Sequence, residues 1–151
     1  MKEADFTRHF TAALGRLQWK ALKTHGNEHQ VGLPDHFIWR ADRPLLGCEA
    51  KAASAPDQAV KKLGTEQRSV LISMSHGRDG ALLVFGSTGH AGAYSGVIFI
   101  KDGDFSNHKM FFEKSAVAAA DAVAHAIEAR FCPTTLFEKV QSTAQNSEVS
   151  Q

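Results

Sequence analysis

Residues 32–51 read GLPDHFIWRADRPLLGCEAK, and this stretch decides the fold because it contains two short apolar segments joined by turn-forming residues. The segments are HFIWR at 36–40 and PLLGCEA at 44–50. Between them, Asp42 and Arg43 precede Pro44, a sequence with the chemistry of a tight turn. The pattern therefore predicts a β-hairpin.

Three charged residues lie near the two ends of this stretch, namely Asp35, Glu49 and Lys51. Side chains two positions apart on a strand share a face, so Glu49 and Lys51 are expected to project side by side. If the turn is centred at 42–43, opposite residues have position numbers that sum to roughly 84 to 86. The hairpin therefore places Asp35 opposite residues 49–51, and the three charges converge.

Two neighbouring carboxylates repel each other unless a cation lies between them, and hard oxygen ligands favour Mg²⁺ or Mn²⁺. An ammonium group beside such a metal can orient a water molecule or offset charge on a phosphate. In the simpler alternative, Asp35 belongs to a turn after Pro34, and Glu49 and Lys51 form a surface ion pair. The apolar neighbours favour a functional role, because unpartnered charges near a core are costly.

The rest of the chain alternates between helical and strand-like patterns. A first helix is predicted from a face with helical spacing, and a second from about Thr65, as N-cap, to Gly77. Segments 81–85 and 96–100 are apolar strands, and a last helix begins after Ser115. The first helical face contains Phe6, Phe10, Ala13, Leu14, Leu17 and Ala21, and the last contains Val117, Ala120, Ala124, Ile127 and Phe131. The resulting order is αββαββα, which predicts an α/β sandwich.

Composition limits the class of protein. With 151 residues, of which 43% are hydrophobic, the chain fits one domain at 1–140, and the polar tail at 141–151 is expected to be disordered. A net charge of +1 gives no overall attraction to polyanions. Cys48 and Cys132 are far apart without a CxxC pair, which indicates a reducing cytoplasm rather than disulfides or zinc. No apolar run approaches the ~20 residues of a membrane span, so a soluble protein without a membrane partner is expected.

The order and spacing of these residues resemble the metal-binding signature of the PD-(D/E)XK nuclease superfamily. GLPD at 32–35 is followed, after thirteen residues, by Glu49-Ala50-Lys51. The likeness covers about residues 2–86 and is to the VRR-NUC and Holliday-junction-resolvase-like branches, in their small phage and bacterial members. The resemblance implies a restriction-endonuclease-like αβββαβ sandwich, with a central mixed sheet flanked by helices.

The resemblance also implies roles for individual residues. Asp35 and Glu49 would bind Mg²⁺ or Mn²⁺ with the backbone carbonyl of Ala50, Lys51 would be catalytic, and Gln67 would support catalysis. In these branches an acidic residue opens the first helix, and Glu3 occupies that position here. Glu3 is therefore either a further metal ligand or a first-turn acid favoured by the helix dipole.

Cations close to this site in sequence are expected to contact DNA phosphates. Lys23 also fits the ordinary role of a dipole partner at a helix end. The cations expected to bind DNA are Lys20, Lys23, Lys61, Lys62 and Arg68, with Lys2, Arg8 and Arg16 in the same patch. The resemblance adds Gln30, in QVGLPD, to the expected DNA-binding residues.

Two other patterns have simpler explanations. The glycines at 86, 89, 92 and 96 lack the GK[ST] and GxGxxG signatures of phosphate loops and favour a hairpin or loop. His25, His29 and His36 have no regular spacing, so DNA contact or solvation is favoured over general-base catalysis.

The sequence therefore predicts a metal-dependent DNA endonuclease selective for branched or junction DNA, acting in replication, recombination or repair. The alternative is a catalytically silent module with the same fold that binds nucleic acid or protein. A symmetric homodimer would suit a symmetric junction, but the sequence leaves the oligomeric state open. The apolar stripe of the last helix fits either the core or a dimer contact, and the core is favoured.

Overall fold

A computed structural model of the chain describes residues 1–24, 32–41, 43–77 and 80–132. The predicted tail at 141–151 lies outside these ranges. The elements in chain order are α1 (Glu3–Arg16), β1 (Lys20–Lys23), β2 (His36–Trp39), β3 (Leu46–Ala52), α2 (Pro56–Lys61), α3 (Thr65–Ser75), β4 (Gly80–Thr88), β5 (Ala93–Ile100), β6 (His108–Glu113) and α4 (Ala116–Phe131).

The strands form one six-stranded sheet in the order β1-β2-β3-β4-β5-β6. β3 and β4 are parallel, whereas the other neighbouring strands are antiparallel. A parallel pair needs a crossover connection, and α2 and α3 supply it. The expected α/β class, with a central mixed sheet flanked by helices, is therefore confirmed.

The hairpin predicted from residues 32–51 is present as β2 and β3. His36 pairs with Cys48, Phe37 with Gly47 and Ile38 with Leu46. These position numbers sum to 84, within the range expected from the turn, although Asp42 itself lies outside the described residues. The register therefore places Asp35 level with Glu49, one residue before β2 begins.

Alternating side chains of the sheet form two hydrophobic cores. In β4, Leu82 and Val84 pack in the core that includes α1 and α4, whereas Leu83 and Phe85 pack in the core beneath α2 and α3. This alternation follows from the period-two geometry of a strand, and burial on both faces explains the continuous apolar run at 81–85. Glu49 lies between Cys48 and Ala50 of the α1/α4 core and therefore projects toward the α2/α3 face.

The first helix is shorter than predicted, because the chain reverses direction after Arg16. Gln18 has a φ of 70°, in the left-handed region that ends helices, and Ala21 belongs to β1 instead of the helix. Trp19 is buried, and its indole Nε1 donates a hydrogen bond to Glu128 Oε2 at 2.7 Å. Four of the predicted helical residues form the buried face: Phe6, Phe10, Ala13 and Leu14.

The last helix agrees with the sequence prediction. Ser115 is its N-cap and accepts a hydrogen bond from the Ala118 backbone N–H at 3.1 Å. Ala120, Ala124 and Ile127 are buried against α1 and the sheet, so this stripe belongs to the core. Val117 is the exception, since 45% of it is exposed.

The sequence prediction missed β1, α2 and β6. All four residues of β1 are exposed, so β1 lacks the alternation that marks a strand. The second predicted helix is α3, which begins at Thr65 with Gly64 as N-cap, one residue before the expected cap. The glycine-rich segment 86–96 is a hairpin, as favoured, because it continues β4 and β5 around a turn closed by a Gly89 N–H to Gly92 carbonyl bond. Among the described helices, none is long and apolar enough to cross a membrane.

We expect Gly86→Ala to destabilise the protein, because Gly86 lies where β4 meets α1. A Cβ at Gly86 would lie 2.2 to 2.8 Å from three ring atoms of buried Phe6. Overpacking of this kind costs about 1–3 kcal/mol of unfolding free energy, which urea denaturation would measure. Gly15→Ala in α1 is the matched control, since nothing lies within 4 Å of its added Cβ, and it should stabilise by about 0.5–1 kcal/mol. Equal stability of Gly86→Ala and wild type would contradict this packing.

Candidate active site

The residues singled out in the hairpin meet at the carboxyl end of β3. Asp35 immediately precedes β2, Glu49 and Lys51 belong to β3, and Gln67 lies in the first turn of α3. The parallel β3 and β4 both end at this edge, and the crossover to β4 begins there with α2. Four side chains that are separate in the sequence thus converge on one point of the sheet.

Asp35 and Glu49 are linked through each other's backbone. The Asp35 N–H donates to Glu49 Oε2 at 3.1 Å, and the Ala50 N–H donates to Asp35 Oδ2 at 3.2 Å. Each carboxylate therefore accepts a hydrogen bond from the backbone of the segment that carries the other. This arrangement holds the two acidic groups side by side with few accessible rotamers.

Lys51 and Gln67 hold the other oxygen of Glu49. Lys51 Nζ lies 3.3 Å from Glu49 Oε1, and Gln67 Nε2 donates to the same oxygen at 3.0 Å. The Gly64 N–H donates to Gln67 Oε1 at 3.1 Å, which fixes the orientation of that amide. The Glu49 side chain is fully buried and that of Lys51 is 11% exposed, so these contacts are shielded from water.

Burial raises the pKa of Glu49 to about 7, and repulsion from Asp35 adds to this effect. Lys51 opposes the rise through its charge and its hydrogen bond. Near neutral pH the ionisation of the Glu49 carboxyl therefore costs free energy. A cation beside both acids would lower that free-energy cost. Clustered acids with such a perturbation are typical of functional sites.

A cleft of about 670 Å³ opens beside Asp35, whereas Glu49, Lys51 and Gln67 are not among its lining residues. Asp35 contributes to its wall, together with Glu3 and Arg8 from α1 and Lys23 from β1. The structure therefore brings Glu3 and Lys23, which are distant from Asp35 in the sequence, to the same concave surface. The further lining residues are Ala4, Thr7, Thr11, Ala21 and His36.

His36 has a more definite place than its sequence context indicated. It begins β2, is only 4% exposed and lines the cleft. Burial lowers its pKa, Asp35 opposes this shift, and the charge of Lys23 adds to it. Its two-residue spacing from buried Ile38 was the sequence signal for an inward-facing side chain.

The predicted DNA-binding cations are only partly gathered at the cleft. Lys23 lines it, Lys20 is exposed on the same strand, and Lys61 is exposed at the end of α2. The Lys62 ammonium donates to the Ala52 carbonyl at the end of β3, close to the acids. Gln30 lies outside the described residues.

Two other cations predicted to bind DNA have partners outside the cleft. The Arg68 guanidinium lies over the Phe105 ring, 5.2 Å from its centroid, and Arg16 forms an ion pair with Asp121 at 2.5 Å. Neither lines the cleft. Arg8 does, although it also approaches Asp5 at 3.6 Å. The helix face determines the direction of each of these side chains, so neighbours in sequence point to different surfaces.

The donor set fits a hard divalent cation, because Mg²⁺ is commonly held by one or two carboxylates with water and substrate phosphate. Asp35 and Glu49 supply such a pair. In the ranges 1–24, 32–41, 43–77 and 80–132, no group of three or more His, Cys, Asp or Glu side chains is placed to hold a metal. Glu3 thus lines the cleft without joining the two acids in one ligand group.

The candidate residues are identified by the sequence and the structure of this chain alone. A search of family models, of curated proteins and of solved structures gave no significant match.

Proposed function

We propose that this protein is a Mg²⁺- or Mn²⁺-dependent DNA endonuclease that acts on branched or junction DNA. The observation that carries the proposal is the convergence of Asp35, Glu49, Lys51 and Gln67 at the carboxyl end of β3. Two neighbouring carboxylates with a partly shielded lysine, one of the carboxylates lining an open cleft, are groups that suit phosphodiester hydrolysis. We propose that the enzyme works in replication, recombination or repair.

The order of elements supports this proposal. α1, β1 to β3, the crossover helices and β4 follow in the order αβββαβ, counting α2 and α3 as one helical layer. This order matches the restriction-endonuclease-like sandwich that the PD-(D/E)XK resemblance implies. Asp35 immediately precedes β2 and Glu49 lies in the neighbouring strand β3, so the PD and ExK segments meet at adjacent strands of the sheet.

The proposed mechanism assigns one task to each residue. Asp35, Glu49 and the Ala50 carbonyl would hold the divalent cation, which supplies Lewis-acid stabilisation of charge on the scissile phosphate when bound. Lys51 orients the attacking water, whose oxygen bonds to phosphorus as one phosphorus–oxygen bond of the DNA backbone breaks. One proton of the water passes through solvent to the departing oxygen, so that one DNA end carries a phosphate and the other a hydroxyl. Gln67 keeps Glu49 in position through its amide and is therefore a positioning residue.

The cleft suggests how DNA would approach. Arg8 and Lys23 on its wall can contact phosphates, and Glu3 lines the same surface. Lys20, Lys61 and Lys62 are proposed to extend this contact, since they lie on the elements next to the acids.

A cleavage assay tests the proposal directly. Purified protein is mixed with labelled duplex, single-stranded, flap and four-way-junction DNA, in Mg²⁺, in Mn²⁺ or in excess chelator. We expect cleavage that requires the cation and is fastest on a branched substrate. Equal cleavage of all four substrates would refute the proposed selectivity for branched DNA. No cleavage of any substrate would refute the proposed nuclease activity.

One observation favours the silent module as the second candidate. Both Glu49 oxygens already have protein partners, namely Lys51 and Gln67 on one and the Asp35 N–H on the other. Such a network can serve structure alone. A calorimetric titration with Mg²⁺ separates the two candidates, because the module would show no saturable binding.

A further inference from the structure

The outer strand β6 is an open edge of the sheet. Within the described ranges it pairs with β5 on one side and with no strand on the other. Its face opposite α4 is apolar and exposed: Met110 is 46% exposed and Phe112 is 51% exposed. The Phe112 ring packs on that of Tyr94, with 4.8 Å between centroids. Open edges with apolar residues are templates for pairing with another strand.

The hydrogen-bonding direction of β6 limits how it can pair. The Phe99 N–H donates to the Asn107 carbonyl, so Asn107 directs its backbone groups toward β5. These groups alternate along an antiparallel strand, so Lys109, Phe111 and Glu113 also face β5. The backbone groups of Met110 and Phe112 therefore point outward and are available to a further strand.

We infer that β6 pairs with β6 of a second copy of this chain, antiparallel and centred on Phe111. In this register Met110 pairs with the partner's Phe112 through the outward backbone groups. Lys109 then lies opposite the partner's Glu113 in a pair without backbone hydrogen bonds, where side chains approach most closely. The two-fold axis repeats both contacts.

Charge complementarity selects this register over its neighbours. If one β6 strand shifts by one residue relative to the other, the backbone hydrogen-bonding partners change. If it shifts by two residues, Lys109 no longer lies opposite the partner's Glu113. Among the described residues, neither side chain makes an ion pair within its own subunit. A lysine that would discourage edge pairing is thus matched by an acid of the second copy.

Six residues of edge strand form a small interface, below the ~1,200 Å² of a standard stable complex. The dimer should therefore dissociate with a constant on the order of micromolar. It joins the two sheets into one of twelve strands, since each subunit contributes six. The inference is independent of the proposed nuclease activity.

Sedimentation equilibrium of the full chain, without DNA or divalent cation, tests the register by charge reversal. Lys109→Glu and Glu113→Lys should each weaken the dimer by about tenfold or more, since each places like charges opposite each other twice. The double variant Lys109→Glu/Glu113→Lys should return the dissociation constant to within about threefold of wild type. A wild-type chain that is monomeric at about 200 µM overturns the inference, as do single variants without effect or a double variant without recovery.

Met110→Pro gives a second test that does not depend on charge. The substitution removes an outward N–H and leaves the bonds between β5 and β6 in place, as proline on an edge strand can. We expect it to abolish the dimer, whereas Met110→Ala, which keeps the N–H, should retain it. A proline variant that is folded by circular dichroism and still dimeric would contradict pairing through β6.

Discussion

Lys51→Ala is expected to reduce metal-dependent DNA cleavage by about 100-fold or more, the range seen when one group that stabilises transition-state charge is removed. Lys51 Nζ lies beside Glu49 and is only slightly exposed, so bulk water cannot replace its positioning of the attacking water. The measurement is the single-turnover rate on the preferred substrate in saturating Mg²⁺. Lys101→Ala is the control, since Lys101 is an exposed lysine of the β5–β6 turn, far from the acids in the sheet.

The Asp35→Asn variant separates the effect of weakened metal binding from the effect of removing Lys51. Asparagine keeps an oxygen that can accept the Ala50 N–H bond, so the circular dichroism spectrum should match that of wild type. Cleavage should be lost in both variants, whereas calorimetric Mg²⁺ binding should be weakened in Asp35→Asn and retained in Lys51→Ala. Wild-type cleavage by either folded variant would refute the assignment of the active site.

The hairpin was predictable from sequence because its determinants are local. Turn residues at 42–44 set the register, and the two-residue period of a strand set the faces of Glu49 and Lys51. In the structure the partner numbers sum to 84, within the predicted range of 84 to 86, and a 3.3 Å contact joins the two side chains. A short loop fixes its neighbouring strands with little help from the rest of the chain.

The parts that sequence missed depend on contacts between distant residues. β1 is four exposed residues, and it pairs with β2 because the chain reverses at Gln18 and Trp19 enters the core. β6 reads HKMFFE, without strict alternation, and its apolar outer face is unpartnered among the described residues. Neither edge strand carries the regular pattern that burial imposes on central strands.

The same distinction applies to the candidate site. The burial of Glu49 depends on α3, whose Gln67 reaches it across eighteen positions of the chain. The positions of Arg16 and Arg68 depend on Asp121 and Phe105, which no sequence pattern connects with them. A sequence pattern thus predicted which charged residues meet. The burial of Glu49 and the directions of the Arg16 and Arg68 side chains depend on three-dimensional packing, which the pattern does not contain.

The raised pKa of Glu49 predicts that metal binding depends on pH in a defined direction. The folded-state pKa is about 7, above the ordinary 4.5, so the metal-free native state binds this proton more tightly than the unfolded chain does. Its contribution to stability is complete below the unfolded value and is lost as pH rises through about 7. A divalent cation has the opposite preference, because it binds the ionised carboxylate.

We therefore expect the apparent Mg²⁺ affinity to fall about tenfold per pH unit below 7 and to level off above it, since binding displaces one proton. The rise in Tm caused by Mg²⁺ should be large near pH ~8 and small near pH ~5.5. Calorimetric titration and thermal unfolding at both pH values measure the two quantities. Glu49→Gln should lose both the metal response and its pH dependence, because the amide neither ionises nor attracts the cation. An Mg²⁺ response of equal size at both pH values would show that the cation binds without Glu49, and no response at either would favour the silent module over the nuclease.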